Sequence, residues 1–164
     1  MRADKKKQFR PSILDRLLDN EPYIDVEADK SRQQYLRDLH NSVRRDLQNL
    51  LNTRYRVIAP PEEFTQLQSS ILNYGLPDLA TVNIADIEKK KNFVRLLEKI
   101  LRDYEPRFKT VKVILQDNKD KTDRTLKFRI DATLYADPAP EVIVFDSVLD
   151  PVSRIVNVEE SRNG

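Results

Sequence analysis

Apolar residues recur along this chain with two different periods, and the change between them falls at Tyr104-Glu105-Pro106-Arg107-Phe108. Before that point the spacing is helical. Leu36, Leu39, Val43, Leu47, Leu50 and Leu51 follow one another in steps of 3, 4, 4, 3 and 1, which predicts a core helix over about residues 31–51. A second helical pattern, Phe64, Leu67, Ile71 and Leu72, predicts a helix over 62–74, set off by Pro60-Pro61 and stopped by Gly75. The longest pattern starts after a cap at Asn83 or Asp86 and runs to Tyr104. Ile87, Val94, Leu97, Leu101 and Tyr104 share one face, and Phe93, Leu96 and Ile100 widen it.

After Pro106 the period is two. Val111, Val113 and Leu115 alternate with Lys112, Ile114 and Gln116; Leu126, Phe128, Ile130, Ala132 and Leu134 alternate with polar partners, so the two strands form a hairpin around the polar run 117–124. Val142–Phe145 is wholly apolar and predicts a strand buried on both faces. A turn at Asp150-Pro151 leads into a last strand, Arg154-Ile155-Val156-Asn157-Val158, expected at a sheet edge. The expected fold is α+β, a single domain with helices on one face of a small, mainly antiparallel sheet formed by the carboxy-terminal half. Its divisions are 1–30 (a basic arm, a short amphipathic segment and a linker), 31–159 (the domain) and 160–164 (a tail).

Composition narrows the chemistry. With 29 basic and 27 acidic residues the net charge is +2, so no overall field draws the protein to nucleic acid or to an anionic membrane. Arg37, Arg44 and Arg45, interleaved with Asp38 and Asp46, read as the solvated back of their helix, and Lys89-Lys90-Lys91 as a solvated turn. There is no cysteine, which suits a reducing, cytoplasmic setting. No apolar stretch approaches the roughly 20 residues of a membrane span. Two glycines, Gly75 and Gly164, rule out glycine-rich phosphate loops. The single histidine, His40, lies beside an apolar stripe and reads as a packing residue, so neither a metal site nor a cofactor is expected. Gly75 and Pro77 are expected to be structural.

Two features stand out as candidate contacts. In the triplet Glu105-Pro106-Arg107, the proline ends the helix and aims Arg107 in a fixed direction. The charge pair is either a local clamp or a contact for a partner or substrate. The short segment around Ile13, Leu14, Leu17 and Leu18 has one apolar side, which packs either on its own domain or on a partner.

Several segments together resemble one family. Ser12–Leu18, Ser42–Leu47, Leu50–Arg54, Asn73–Asp78, the Glu105-Pro106-Arg107 triplet and Phe145–Asp150 occur in the order seen in the TssE family of type VI secretion baseplate subunits. The resemblance covers about residues 11–158. That family is similar to a baseplate wedge protein of contractile-tailed phages and has carried a lysozyme-like label from its phage relatives. The resemblance implies a non-enzymatic baseplate component, cytoplasmic and membrane-proximal. It would be bound to the wedge proteins TssF and TssG, and the TssB/TssC sheath would start to polymerise from it. Glu105, Pro106 and Arg107 would meet the helical bundle of the wedge partners, and Arg154–Val158 would meet the first sheath ring by strand exchange or addition. The alternative is a lysozyme-like glycoside hydrolase with Glu105 as general acid and Asp131 as its second carboxylate. The chain has no tryptophan for sugar stacking, and an arginine beside Glu105 favours its charged form, the opposite of what a general acid needs.

Overall fold

The computed structural model describes residues 13–18, 22–23, 31–54, 61, 63–68, 70–77, 87–118, 123–136 and 139–161. The basic stretch 1–10, the capping positions Asn83 and Asp86, and residues 162–164 lie outside the described residues. The helices are α1 (Ile13–Leu17), α2 (Arg32–Asn52), α3 (Thr65–Gln68) and α4 (Ile87–Tyr104). The strands are β1 (Phe108–Gln116), β2 (Leu126–Leu134), β3 (Glu141–Leu149) and β4 (Val156–Glu160). They pair in the order β1-β2-β3-β4, every pair antiparallel, so the carboxy-terminal half is one meander sheet.

Helix α2 begins with a reciprocal cap. Ser31 Oγ accepts from the Gln34 N–H at 3.4 Å, and the Ser31 N–H donates to Gln34 Oε1 at 2.7 Å. Of the stripe expected from the spacing, Leu39, Val43, Leu47, Leu50 and Leu51 are buried and Leu36 is half-buried. From α4, Phe93, Leu97, Ile100 and Leu101 enter the same core, and Phe93 meets Phe128 of β2 edge-on, with ring centroids 6.5 Å apart. Helix α4 packs on β1 and α2 on β4. Along β2 the side chains of Leu126, Phe128, Ile130, Ala132 and Leu134 point into this layer, and the intervening residues stay partly exposed.

The structure departs from the sequence reading in four places. Val142–Phe145 is not buried on both faces: Ile143 and Phe145 are core, but Val142 is 70% exposed, because the helices cover only one side of the sheet. The long helix expected over 62–74 is replaced by α3 and a separate 3-10 turn, Ile71–Asn73. Ser70 Oγ accepts the Leu72 N–H at 3.3 Å and starts that turn, while Phe64 and Ile71 remain exposed, so no buried stripe holds a continuous helix together. The last strand is shifted by two residues. Arg154 has φ 60°, and the turn from Asp150 extends through it, closed by Arg154 N–H to Asp150 O (2.8 Å) and Asp150 N–H to Ile155 O (3.0 Å). Arg154 and Ile155 therefore precede β4, which continues through Glu160, with the Ser161 N–H reaching Val144 O at 2.9 Å. Fourth, Arg45 is not part of a solvated back, as the site below makes plain; Arg37 and Arg44 are exposed. The extended segment expected at Tyr55–Ile58 lies outside the described residues.

Gly75 is required by its surroundings. Its φ is +108°, and a Cβ there would stand 2.4 Å from the Thr53 carbonyl oxygen. That carbonyl accepts the Leu76 N–H at 2.8 Å and brings Leu76 beside Arg54 in an isolated parallel bridge. Pro77 follows, half-buried.

Candidate functional site

Helix α4 stops where the sequence places its stop. The Glu105 N–H still completes a helical bond to Leu101 O at 3.0 Å, but Pro106 has no N–H to continue the ladder. The Phe108 N–H then bonds to Glu105 O at 3.1 Å, which closes a tight turn with the proline at its second position, where its fixed φ fits. The turn folds Arg107 back over Glu105, and the Arg107 N–H reaches Glu105 Oε1 at 3.2 Å. Pro106 is left exposed at the tip, whereas Glu105 is only 4% exposed.

Arg107 is the centre of the site. Its Nε donates to Glu105 Oε1 at 2.6 Å and its Nη2 to Glu105 Oε2 at 2.5 Å, a two-pronged pair across a single proline. Nη2 also donates to Asp46 Oδ2 at 2.6 Å, and Nη1 to Ser42 Oγ at 2.8 Å. Ser42 and Asp46 are four residues apart, so they share one face of α2. The network continues outward. Ser42 Oγ donates to Asp15 Oδ2 of α1 at 2.6 Å, and Arg45 Nη2 donates to Asp15 Oδ1 at 2.6 Å and, more loosely, to Asp46 Oδ1 at 3.4 Å.

Three carboxylates therefore surround two guanidinium groups. Burial lowers the proton affinity of Arg107, but its bonds to Glu105 and Asp46 outweigh that, and it is held above the ordinary arginine value. Arg45 is also held above its ordinary value, chiefly by its bond to Asp15. The Tyr74 phenol is raised by burial and by the charges of Asp46 and Glu105. It stays neutral beside the cluster, edge-on to Tyr104 at 5.4 Å between centroids.

Glu105 and Arg107 hold each other and the face of α2, so the pair is a clamp within the chain. Both oxygens of Glu105 accept from Arg107, which leaves the carboxyl poorly placed to protonate a substrate. Asp131 alternates with buried Ile130 and Ala132, so it lies on the opposite, helix-free face of the sheet and does not join Glu105 in one cleft. Among the described residues no cluster of three or more metal-binding side chains occurs, and no helix is long and apolar enough to cross a membrane.

The segment with one apolar side is docked by its polar side. Asp15 points into the network, while Ile13 and Leu17 are 80% and 75% exposed and Leu14 and Leu18 about half so. Of the residues singled out in the sequence, Glu105, Pro106, Arg107 and α1 are thus brought to one place. Arg154–Val158 belong to a different one. Ser42, Arg45, Asp46, Asp15 and Tyr74 were missed as site residues. The signal lay in the segments that carry the family resemblance, three of which contain Asp15, the Ser42–Asp46 stretch and Tyr74.

At β4 the start of the outward-facing backbone is occupied. The Val156 N–H donates to Asn52 Oδ1 (2.9 Å), and its carbonyl accepts from Gln48 Nε2 (2.7 Å) and Asn52 Nδ2 (2.8 Å). The Val158 N–H donates to Gln48 Oε1 at 2.9 Å. On the other edge, the Val113 N–H of β1 donates to Glu98 Oε1 at 2.9 Å. His40 binds the end of β4, Nδ1 donating to Glu160 Oε1 at 2.8 Å, and Arg54 Nη2 donates to the Arg154 carbonyl. The sheet edges are thereby covered in part by helix side chains.

A charge cluster satisfied within the chain, an apolar helix turned outward and partly closed sheet edges define a small α+β structural domain. A family model described as baseplate wedge protein gp25 matches residues 37–139. The chain belongs to that family, which is also the family of the TssE subunits it resembles, and its role is that of a structural baseplate component. The matched stretch includes Ser42, Asp46 and Glu105–Arg107, and leaves α1, β3 and β4 outside. A comparison with curated proteins returned no match.

Proposed function

We propose that this protein is the baseplate component of a type VI secretion machine that links the TssF/TssG wedge to the first ring of the TssB/TssC sheath and starts sheath polymerisation on the cytoplasmic side of the membrane. The observation that carries the reading is that exposed Pro106 and the outward apolar face of α1 are both tied to the same Arg107 clamp. A rigid, partly apolar surface of this kind suits a helical partner, and the clamp sets its geometry. Ile13, Leu14, Leu17 and Leu18 are the anchors, with Glu105 and Arg107 behind them. The sheath side is β4. Gln48 and Asn52 occupy Val156 and the Val158 N–H, so an added strand pairs from the Val158 carbonyl onward, toward Glu160.

The test is size-exclusion with light scattering on the chain co-expressed with TssF and TssG, as wild type and as Ile13→Asp/Leu17→Asp. Circular dichroism confirms folding; these side chains are exposed, so the fold is expected to be kept. A defined wild-type complex that the folded variant fails to enter supports the reading. No complex, or equal entry by both, overturns the wedge contact proposed for α1, and cleavage of peptidoglycan then becomes the activity to assay.

A further inference from the structure

Helix α1 has five residues, far below the roughly 12–15 at which a helix persists by itself in water. Its apolar side chains hold it down only in part, since Ile13 and Leu17 are turned to solvent and Leu14 and Leu18 are about half exposed. It is Asp15 that reaches the domain, with one oxygen on Ser42 and the other on Arg45. These two ties differ in kind. The Arg45 side chain is 35% exposed, so its attraction to Asp15 is screened by water and salt. Ser42 is buried, at 6% exposure, and its hydroxyl lies directly between Arg107 and Asp15.

The direction of the proton in that bridge is forced. A guanidinium only donates, so Ser42 Oγ accepts from Arg107 Nη1, and its single proton is left for Asp15 Oδ2. A cationic donor on the oxygen polarises the hydroxyl and makes it the better donor to a carboxylate. Ser42 Oγ is the shortest link from Arg107 to Asp15; the other runs through Asp46 and Arg45, by way of a looser 3.4 Å bond.

We infer that Ser42 is a positioning residue that couples the seating of α1 to the Glu105–Arg107–Asp46 clamp, so that losing the hydroxyl bridge loosens the orientation in which the apolar residues of α1 are held. The coupling is a property of this chain. Its consequence for partner binding rests on the function proposed above.

The absence of cysteine makes a clean probe possible. Leu17→Cys, labelled with a nitroxide, reports the motion of α1 by electron paramagnetic resonance, and Lys91→Cys on exposed α4 serves as the control site. In the full chain the α1 label is expected to be restricted. Ser42→Ala is expected to shorten its correlation time several-fold and leave the α4 label unchanged, while Ser42→Thr, which keeps the hydroxyl, restores the restriction. Asp15→Asn, outside the core, is expected to free α1 in the same way and guards against misfolding of the Ser42 variants. An α1 label that stays restricted in both Ser42→Ala and Asp15→Asn overturns the inference. Co-expression with TssF and TssG separates the two claims. If Ser42→Ala frees α1 yet still enters the complex, the coupling stands and the wedge contact through α1 fails.

Discussion

Arg107 and Asp46, 61 residues apart in the chain, meet at 2.6 Å through Nη2 and Oδ2, and this bond ties the turn after α4 to the face of α2. The Arg107 bond to Ser42 Oγ, at 2.8 Å, makes a second polar tie between the turn and α2. With it the turn, α2 and, through Ser42, α1 form one polar unit.

Replacing Arg107 leaves Glu105 buried and both Asp46 and Ser42 short of a donor. Arg107→Met is expected to lower the unfolding free energy by about 3–5 kcal/mol, measured by urea denaturation. Arg107→Lys recovers little, because an ammonium group cannot reproduce the two-pronged geometry. Glu105→Gln/Arg107→Met, which removes both charges, is expected to cost less than Arg107→Met alone; a double variant as unstable as the sum of the singles contradicts the clamp.

Gln48 and Asn52 together close the start of the β4 edge. Gln48→Ala/Asn52→Ala is expected to destabilise by about 1–3 kcal/mol and to expose backbone groups that pair with other copies of the chain. Light scattering over a range of concentrations shows the second effect as self-association absent from the wild type.

Gly75→Ala meets both a left-handed φ and the Thr53 carbonyl. A loss of about 1–3 kcal/mol is expected by thermal unfolding. A neutral substitution means that the Thr53–Leu76 crossing moves aside freely.

Acid is expected to destabilise the protein through three aspartates. Asp123 is held below the usual carboxylate range by its bonds from Lys127 and Thr125, and Asp150 by the Val152 N–H and Ser153. For Asp146, burial pushes upward, but bonds from Arg129 and Ser161 outweigh it and the net direction is down. A carboxylate whose folded value lies below the unfolded one, about 3.9, contributes stability that is fully present above that pH and is lost as pH falls through the folded value. Stability by urea unfolding is therefore expected to fall from about pH 4 downward. In Asp146→Asn the fall is shallower, and the gap between variant and wild type closes toward pH 2. A gap independent of pH excludes Asp146 as a contributor.

Much of the architecture was legible along the chain because it depends on local spacing. The stripe from Leu36 to Leu51 marks α2, the alternation from Leu126 to Leu134 marks β2, and Pro106 marks the end of α4, since each depends on periodicity or on a missing N–H. The same local logic failed over residues 62–74, where helical spacing exists but Phe64 and Ile71 stay exposed. It also failed at Val142, because an apolar run does not say how many layers cover a sheet.

The sequence by itself determined the elements, their order and the rigid triplet, through backbone sterics and the burial of apolar side chains. Only the tertiary structure decided what the charges do. Asp15, the Ser42–Asp46 turn of α2 and Arg107 are distant in sequence, and hydrogen-bond geometry is set by side chains that meet only after α1, α2 and the turn have packed. That packing turned Arg45 from a solvated cation into a tie to Asp15, and made the Glu105–Arg107 pair a clamp within the chain.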